Sequence, residues 1–426
     1  MARKKHSQKA IQVCAHWRGM SNPYLMGTLY VTLSRGKEVF SFEYNQAWLK
    51  SPHLQTLDPD LGLFSGPQYA RDGRDNFGLF LDSSPDRWGR VLMQRREAQQ
   101  ARVEDRDVRT LMSSDYLLGV FDAHRMGAIR FRFSDNTPFL DDQVGMVVPH
   151  WARLRDLEYA SLQLERENAE NQSDYQKWLN MLIAPGGSLG GARPKASVVD
   201  SENHPWIAKF PSRRDETNIG KWEYLVHLLA QDAGIEVSES EIRNFSGNYD
   251  TFLTKRFDRT EKGERLHFSS AMTLLGKQDG DGGDTGVSYL DLVDFIVRNG
   301  ARVKLDLEQL WRRIVFYVCI SNTDDHLRNH GFMLTDRGWV LSPAYDMNPV
   351  ATGDGLSLNI SKEDNRQDLN LVMNVAHYFR VEKERAYKIV QEVKSVVKNW
   401  TIQAKRLTIP SREINHMKGA FRLADE

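Results

Sequence analysis

The feature that most constrains this chain is a buried-looking helix that empties into a polar loop and is followed at once by a short hairpin. Leu307, Leu310, Trp311, Ile314, Val315 and Val318 recur at the spacing of one helix face. Such a face must be covered, so the helix ends inside the fold and delivers Asn322-Thr-Asp324-Asp-His326-Leu-Arg-Asn329 to a fixed place. Downstream, Gly331-Phe-Met-Leu, Asp336-Arg-Gly338 and Trp339-Val-Leu read as strand, turn and strand, with Ser342-Pro-Ala-Tyr-Asp346 just beyond. The hairpin therefore brings Asp346 back towards Asn329.

Three polar side chains then stand where phosphoryl transfer needs them. The Asp324 carboxylate can take the proton of an attacking hydroxyl. The Asn329 amide and the Asp346 carboxylate are hard oxygen donors suited to Mg²⁺ on nucleotide phosphates. A lone Asp in a loop is more often a turn or capping residue, and it is the joint spacing that points to a kinase. His326 and His330 stand four apart, as zinc ligands on a helix do. Leu327 occupies the place of the glutamate base of a zinc hydrolase, however, and no third ligand follows from the spacing.

A second signal is Ala184-Pro-Gly-Gly-Ser188-Leu-Gly190-Gly191-Ala192-Arg-Pro-Lys195, where glycines permit positive φ and close approach of backbone N–H groups to a phosphate. Ala192 and Arg193 replace the Lys and Ser or Thr of a Walker A loop, which disfavours a P-loop NTPase. Lys195 to Val199 and Trp206 to Phe210 read as strands around a polar turn, with Lys209 placed to reach phosphates. Trp222, Leu225, Val226 and Leu229 mark an amphipathic helix carrying Glu223, either an exposed carboxylate or the partner that orients Lys209. Thr251 to Phe257 is a further strand, ending at Asp258-Arg-Thr as a hinge between lobes.

These residues together resemble the HipA-like serine/threonine kinases, toxin components of bacterial toxin–antitoxin modules. The resemblance covers most of the chain. It rests on Ser188-Leu-Gly-Gly-Ala-x-x-Lys195, Ile207-x-Lys-x-Pro211, Trp222-Glu-Tyr224, Arg256-Phe-Asp-Arg259, Thr323-Asp-x-His-x-x-Asn329 and Pro343-x-Tyr-Asp346. Asp82-Ser-Ser-Pro-Asp86-Arg-Trp-Gly89-Arg, Leu117-Leu-Gly119 and Gly127-Ala-Ile-Arg130 are similar to that family's extra N-terminal subdomain.

The resemblance implies an α+β, two-lobed protein-kinase-like fold with a β-rich N-terminal subdomain and a helical C-lobe. It implies Asp324 as base, Asn329 and Asp346 as Mg²⁺ ligands, and Lys209 on the ATP phosphates. Gly190, Gly191, Ala192 and Lys195 belong to its nucleotide loop, and Ser188 aligns with a serine that becomes autophosphorylated. Lys255, Arg256 and Phe257 form the adenine-facing hinge, with Lys255 in place of an acidic residue, and His326 is structural or close to the phosphates. The implied partners are a HipB-like DNA-binding antitoxin, operator DNA through it, and a protein substrate of the translation machinery such as an aminoacyl-tRNA synthetase. An added phosphate at Ser188 would carry about −1.5 to −2 charges into the place of an ATP phosphate, which makes that modification inhibitory.

Composition bounds these expectations. At 426 residues, 40% hydrophobic and 27% charged, the chain has the make-up of a soluble protein of two or three domains. Lys+Arg and Asp+Glu balance at 57 each, so there is no overall basic excess for autonomous nucleic-acid binding. Two cysteines, Cys14 and Cys319, exclude a disulfide framework, and no apolar run suits a membrane span or signal peptide, so the cytoplasm is the expected compartment.

The expected domains are a β-rich subdomain over 1–145, a kinase N-lobe over 146–259 and a helical C-lobe over 260–426. Leu29 to Leu33 and Val39 to Phe42 are strands of the first, with a helix near Asp86 to Gln100. In the last, Ala386, Ile389, Val390, Val393, Val397 and Trp400 keep one helical period. The Gly- and Asp-rich stretch 276–286 fails the EF-hand pattern, with Asp284 where Gly is needed and Leu290 where Glu is needed, and reads as a mobile loop near the active-site mouth. Two other functions stay open on the same residues: a kinase of small molecules such as an aminoglycoside or lipid headgroup, and a nucleotide-binding regulator without catalysis.

Overall fold

The computed structural model describes residues 8–71, 73–141, 149–183, 191, 193–245, 247 and 249–425. Ser188, Gly190 and Ala192 lie outside the described residues. The chain forms two compact units, Met1–Arg213 with Asp258–Ser269, and Arg214–Phe257 with Ser270–Glu426.

The first unit is built on a five-stranded antiparallel sheet. Its strands are β1 (Gln8–Ala15), β2 (Tyr24–Ser34), β3 (Lys37–Tyr44), β4 (Gln68–Tyr69) and β5 (Ile129–Arg132), in the order β4-β3-β2-β1-β5. Period-two alternation buries one face: Gly27, Leu29 and Val31 on β2 face Tyr44, Phe42 and Phe40 on β3, while Met26, also buried, falls at the register shift between β1 and β2. Gly27 pairs with Tyr44, and a Cβ there would lie 2.2 Å from the Glu43 carbonyl oxygen, so only glycine fits. Phe42, Phe77, Phe80 and Phe131 meet edge to face or tilted beneath the sheet.

Arg125 is fully buried at the edge of this core. It donates to the carbonyls of Ser83, Leu117, Val120 and Leu140 at 2.7 to 3.0 Å, and burial pushes its pKa down to about 10. The returning segment 258–269 is tied to the same region by Asp258, which accepts from the Gly127 N–H at 2.8 Å, and by Arg265, which donates to the Asp122 carboxylate at 3.2 Å.

Helix α1 (Arg87–Val103) begins in the Asp82–Arg90 block, with Asp86 as N-cap accepting from the Gly89 N–H at 2.7 Å. Helices α2 (Leu154–Leu164) and α3 (Tyr175–Ile183) follow, and α3 packs on both α1 and α2. The hairpin of β6 (Lys195–Val199) and β7 (Pro205–Lys209) has the expected polar turn, in which Asp200 accepts from the N–H groups of Glu202 and His204.

The second unit contains α4 (Ile219–Asp232), the hairpin of β8 (Ser240–Asn244) with β9 (Asp250–Lys255), α5 (Tyr289–Asn299), α6 (Val303–Ile320), the hairpin of β10 (Gly331–Thr335) with β11 (Gly338–Leu341), and α7 (Lys383–Val397). The stripe that predicted α6 is wholly buried and α7 packs against it through Ala386, Ile389, Val390, Val393 and Val397. Trp400 is also buried but opens the next helix, Trp400–Arg406, so the expected single period is broken at Lys398 and Asn399. Glu223 on α4 is buried, contrary to the exposed alternative for it.

Candidate active site

Helix α6 ends at Ser321, whose φ of 51° is left-handed, a conformation glycine usually supplies. Here the side chain holds it: the single proton of the Ser321 hydroxyl is within reach of two acceptors, the Ala420 carbonyl at 2.8 Å and Gln367 Oε1 at 2.9 Å. Past this reversal the chain runs as a loop fastened to the segments around it. Asn322 is buried and its Oδ1 accepts from the Asn348 N–H at 3.3 Å, while the Thr323 carbonyl accepts from the Ser357 hydroxyl at 2.7 Å.

Asp324 is exposed, and its carbonyl accepts from the Asn329 side-chain Nδ2 at 2.9 Å and from the His326 N–H at 3.0 Å. With Nδ2 committed, the Asn329 oxygen Oδ1 is the end left for a cation, so the amide orientation set by this bond suits a hard-metal ligand. One turn of 3₁₀ helix, Leu327–Asn329, makes the approach between 324 and 329 possible.

The hairpin returns Asp346 to this loop as the spacing predicted. The Tyr345 hydroxyl donates to the Arg328 carbonyl at 2.7 Å, next to Asn329, and two residues after Tyr345 on the other side of Asp346 comes Met347, then Asn348 with its bond to Asn322. Asp346 is thus bracketed by two ties to the segment 322–328, and it is half-buried with a left-handed φ of 58°. Gly338 in the β10–β11 turn allows the hairpin to lie against α5, since a Cβ there would be 2.5 Å from the Asn299 carbonyl oxygen. Phe257, at the end of the expected hinge, sets its ring 5.6 Å from that of Tyr345, tilted by 35°. In the second unit, Asp324, Asn329, Asp346 and Phe257 therefore share one neighbourhood, with Arg256 buried beside Phe257 and Lys255 bonded through its N–H to the Glu239 carbonyl at 2.8 Å.

The residue after Asp324 is a finding that the motif did not disclose. Asp325 is buried, and its Oδ2 accepts from the Tyr289 hydroxyl at 2.5 Å and sits 2.7 Å from His330 Nε2. Burial and the Asp325 charge hold the Tyr289 pKa well above its ordinary value, so the hydroxyl keeps its proton to donate. His330 is thereby explained without a metal: its Nε2 faces a carboxylate, and its ring lies between those of Tyr289 and Tyr317. Among the described residues no group of three or more His, Cys, Asp or Glu side chains could hold a metal ion.

A cavity of about 380 Å³ opens beside this loop, walled by His326, Leu327 and Arg328 on one side and by Asp279, Asp281 and Asp284 on the other. The acidic wall is the stretch expected to be a mobile loop. It is instead tied down, with Gly283 donating to the Ser357 carbonyl at 2.7 Å and accepting from Asn359 Nδ2 at 3.0 Å, and Arg328 bonding Asp279 at 2.6 Å.

The remaining expected residues lie in the first unit. Lys195 and Lys209 are cross-strand partners in the β6–β7 hairpin, so both side chains rise from one face. Two ammonium groups opposed in this way repel, and Lys195, buried, meets Asp86, whose side chain is also enclosed, at 3.2 Å. Trp88 closes the arrangement by donating through Nε1 to the Lys195 carbonyl at 3.2 Å and through its N–H to the Gly191 carbonyl at 3.4 Å. Sequence reasoning grouped Lys195 with the nucleotide loop and gave Asp86 no role. The Asp-x-Trp spacing at the start of α1 was the signal that could have linked them.

A mixed helix-and-sheet chain with this hairpin-borne loop has a protein-kinase-like fold, and comparison with known proteins makes the class specific. Residues 187–400 match the HipA-like C-terminal domain, half of the chain, and the protein belongs to that family. A serine/threonine-protein kinase toxin HipA of Shewanella oneidensis is 29% identical over 192 residues, covering 38% of this chain and 43% of its own length. A candidate kinase of Haemophilus influenzae is 26% identical over 184 residues, covering 39% of this chain and 53% of its own length. The chain thus matches about half the length of these curated relatives. Over nearly the whole chain the fold is similar to a solved complex from Shewanella oneidensis MR-1 of the toxin–antitoxin proteins HipA and HipB with operator DNA. The TM-score is 0.66 at 17% identity, covering 97% of this chain and 96% of that one. Among the described residues no helix is long and apolar enough to cross a membrane.

Proposed function

We propose that this protein is an ATP-dependent protein serine/threonine kinase acting as a growth-inhibiting toxin, with a translation-related protein as its acceptor. The observation that carries the reading is the tie between Asn329 Nδ2 and the Asp324 carbonyl at 2.9 Å, in a loop to which Tyr345 fastens the segment bearing Asp346. Asp324, exposed at the loop's tip, takes the proton of the acceptor hydroxyl. Asn329 and Asp346 offer the oxygen donors for Mg²⁺, and Lys209 with the glycine-rich segment orients the nucleotide. Mg·ATP, when bound, supplies the phosphoryl group and the cation that offsets its charge. Phe257 and the Lys255–Arg256 backbone make the adenine side of the site, and His326 holds the loop near the phosphates.

Ser188 is the proposed site of inhibitory autophosphorylation. A HipB-like antitoxin is the proposed partner, on the likeness to the HipA complex, and operator DNA is reached through it. Incubation with γ-labelled ATP and cell extract tests the reading: label in protein bands that disappears in Asp324→Asn supports it. Label only in small solutes would assign a small-molecule kinase instead, and nucleotide binding without any transfer would leave a regulator. Mass spectrometry of the incubated chain checks Ser188 directly.

A further inference from the structure

We infer that Asp325 is a positioning residue for this reaction: its buried carboxylate, gripped by Tyr289 and His330, fixes the backbone from which Asp324 presents its own carboxylate. The inference rests on the reading of Asp324 as base. The dipeptide splits its two acids between environments, Asp324 exposed and Asp325 only 1% exposed, so Asp325 cannot meet an acceptor hydroxyl itself.

What it can do follows from two cross-links of the same span. Asn329 Nδ2 reaches back five residues to the Asp324 carbonyl at 2.9 Å, and His330 Nε2 reaches back five residues to Asp325 Oδ2 at 2.7 Å. Side by side, these rungs close the loop 324–330 at both its entry and its exit. Rotation of the Asp324 backbone would have to break one of them.

The anchors are themselves held. Tyr289 is the first residue of α5 and its N–H donates to the Asn359 carbonyl at 2.9 Å, while the His330 carbonyl accepts from the Ala271 N–H at 2.8 Å. A leucine at 325 would fill the same space yet specify no direction. A buried carboxylate keeps its low energy only while its donors stay in place, so every displaced arrangement of the loop is penalised.

The experiment uses the full chain and compares Tyr289→Phe, Asp325→Asn and Asp324→Asn with wild type. Three quantities are read: ADP release from Mg·ATP, the melting temperature, and amide hydrogen exchange in 322–330. Removing one donor or one charge from such a support should lower kcat roughly 10–100-fold. KM for Mg·ATP should stay within about twofold, since nucleotide contacts are intact. Amide exchange should rise in 322–330 and stay unchanged in α6. Unchanged exchange in that loop, a kcat loss matched by collapse of the melting temperature, or a change confined to KM would each overturn the inference. If Asp324→Asn turns over like wild type, the base assignment is what fails, and the exchange data on Tyr289→Phe still decide whether Asp325 braces the loop.

Discussion

Each unit of this protein buries an aspartate beside one of its signature segments, and the two are stabilised differently. Asp86, in the first unit, caps α1 through Oδ1 and turns Oδ2 to the Lys195 amine, yet burial outweighs both and pushes its carboxyl up to about 6. Asp325, in the second, is met by a tyrosine hydroxyl and an imidazole. A charge partner answers a buried acid with Coulomb energy and little direction, whereas two oriented donors answer it with geometry. The first arrangement suits a junction between a helix start and a strand, the second a loop that must present a neighbouring side chain.

The largest expected effect separates Asp324 from both buried acids. Asp324→Asn should lower kcat by about 10²–10⁴-fold, the usual worth of a general base. Its unfolding free energy should move by no more than about 0.5 kcal/mol, because the residue is exposed. Phosphoryl transfer and urea unfolding on the same preparations check both halves.

Next comes Lys195→Met, which strands the Asp86 carboxylate. Breaking a buried pair costs about 3–5 kcal/mol, and urea midpoints of the full chain should fall accordingly. A variant of unchanged stability with a raised KM for ATP would instead put Lys195 on the nucleotide.

The pH dependence is smaller and has a definite sign. Burial pushes Asp58 to about 6 as well, although the Leu79 and Asp60 N–H groups bond it. The unfolded chain ionises this group near pH 4 and the folded chain holds its proton to about pH 6, so stability is lost as pH rises through that window. The shift of about two units corresponds to about 3 kcal/mol. Asp58→Asn, which cannot ionise, should gain on wild type by up to that amount between pH 4 and 6, measured by urea unfolding at each pH.

The weakest signal is a negative one. Cys14 and Cys319 are fully buried and burial raises both thiols, Cys319 to about 12, so neither should react with a thiol reagent until the chain is denatured.

How much of this was legible in the sequence depended on the range of the cause. The stripe of α6, the β10–β11 hairpin and the strands around Asp200 are set by neighbours within a few positions, and periodicity and turn chemistry disclosed them. The return of the segment around Asp346 to the loop 322–328 was legible for the same reason, since a hairpin fixes it. The role of Asp325 was not, because it depends on Tyr289 and His330 meeting one oxygen, and no local pattern says which of two adjacent acids turns inward. The pairing of Lys195 with Asp86 was equally opaque, because the two residues lie far apart along the chain and no local pattern reports such a contact. The 276–286 stretch looked loose from its glycines, but Gly282 and Gly283 serve close packing, where a Cβ would fall 2.9 Å from the Ser357 carbonyl oxygen or 3.0 Å from Asn359 Oδ1.

The left-handed serine at the end of α6 carries a warning for anyone hardening this protein against heat. A residue held at positive φ is a standard target for exchange to glycine, which removes a left-handed cost of about 1–2 kcal/mol. At Ser321 the exchange would cut the hydroxyl from Gln367 and Ala420 and free the chain just ahead of Asn322, so a gain sought at the helix end would be repaid as looseness where catalysis is proposed.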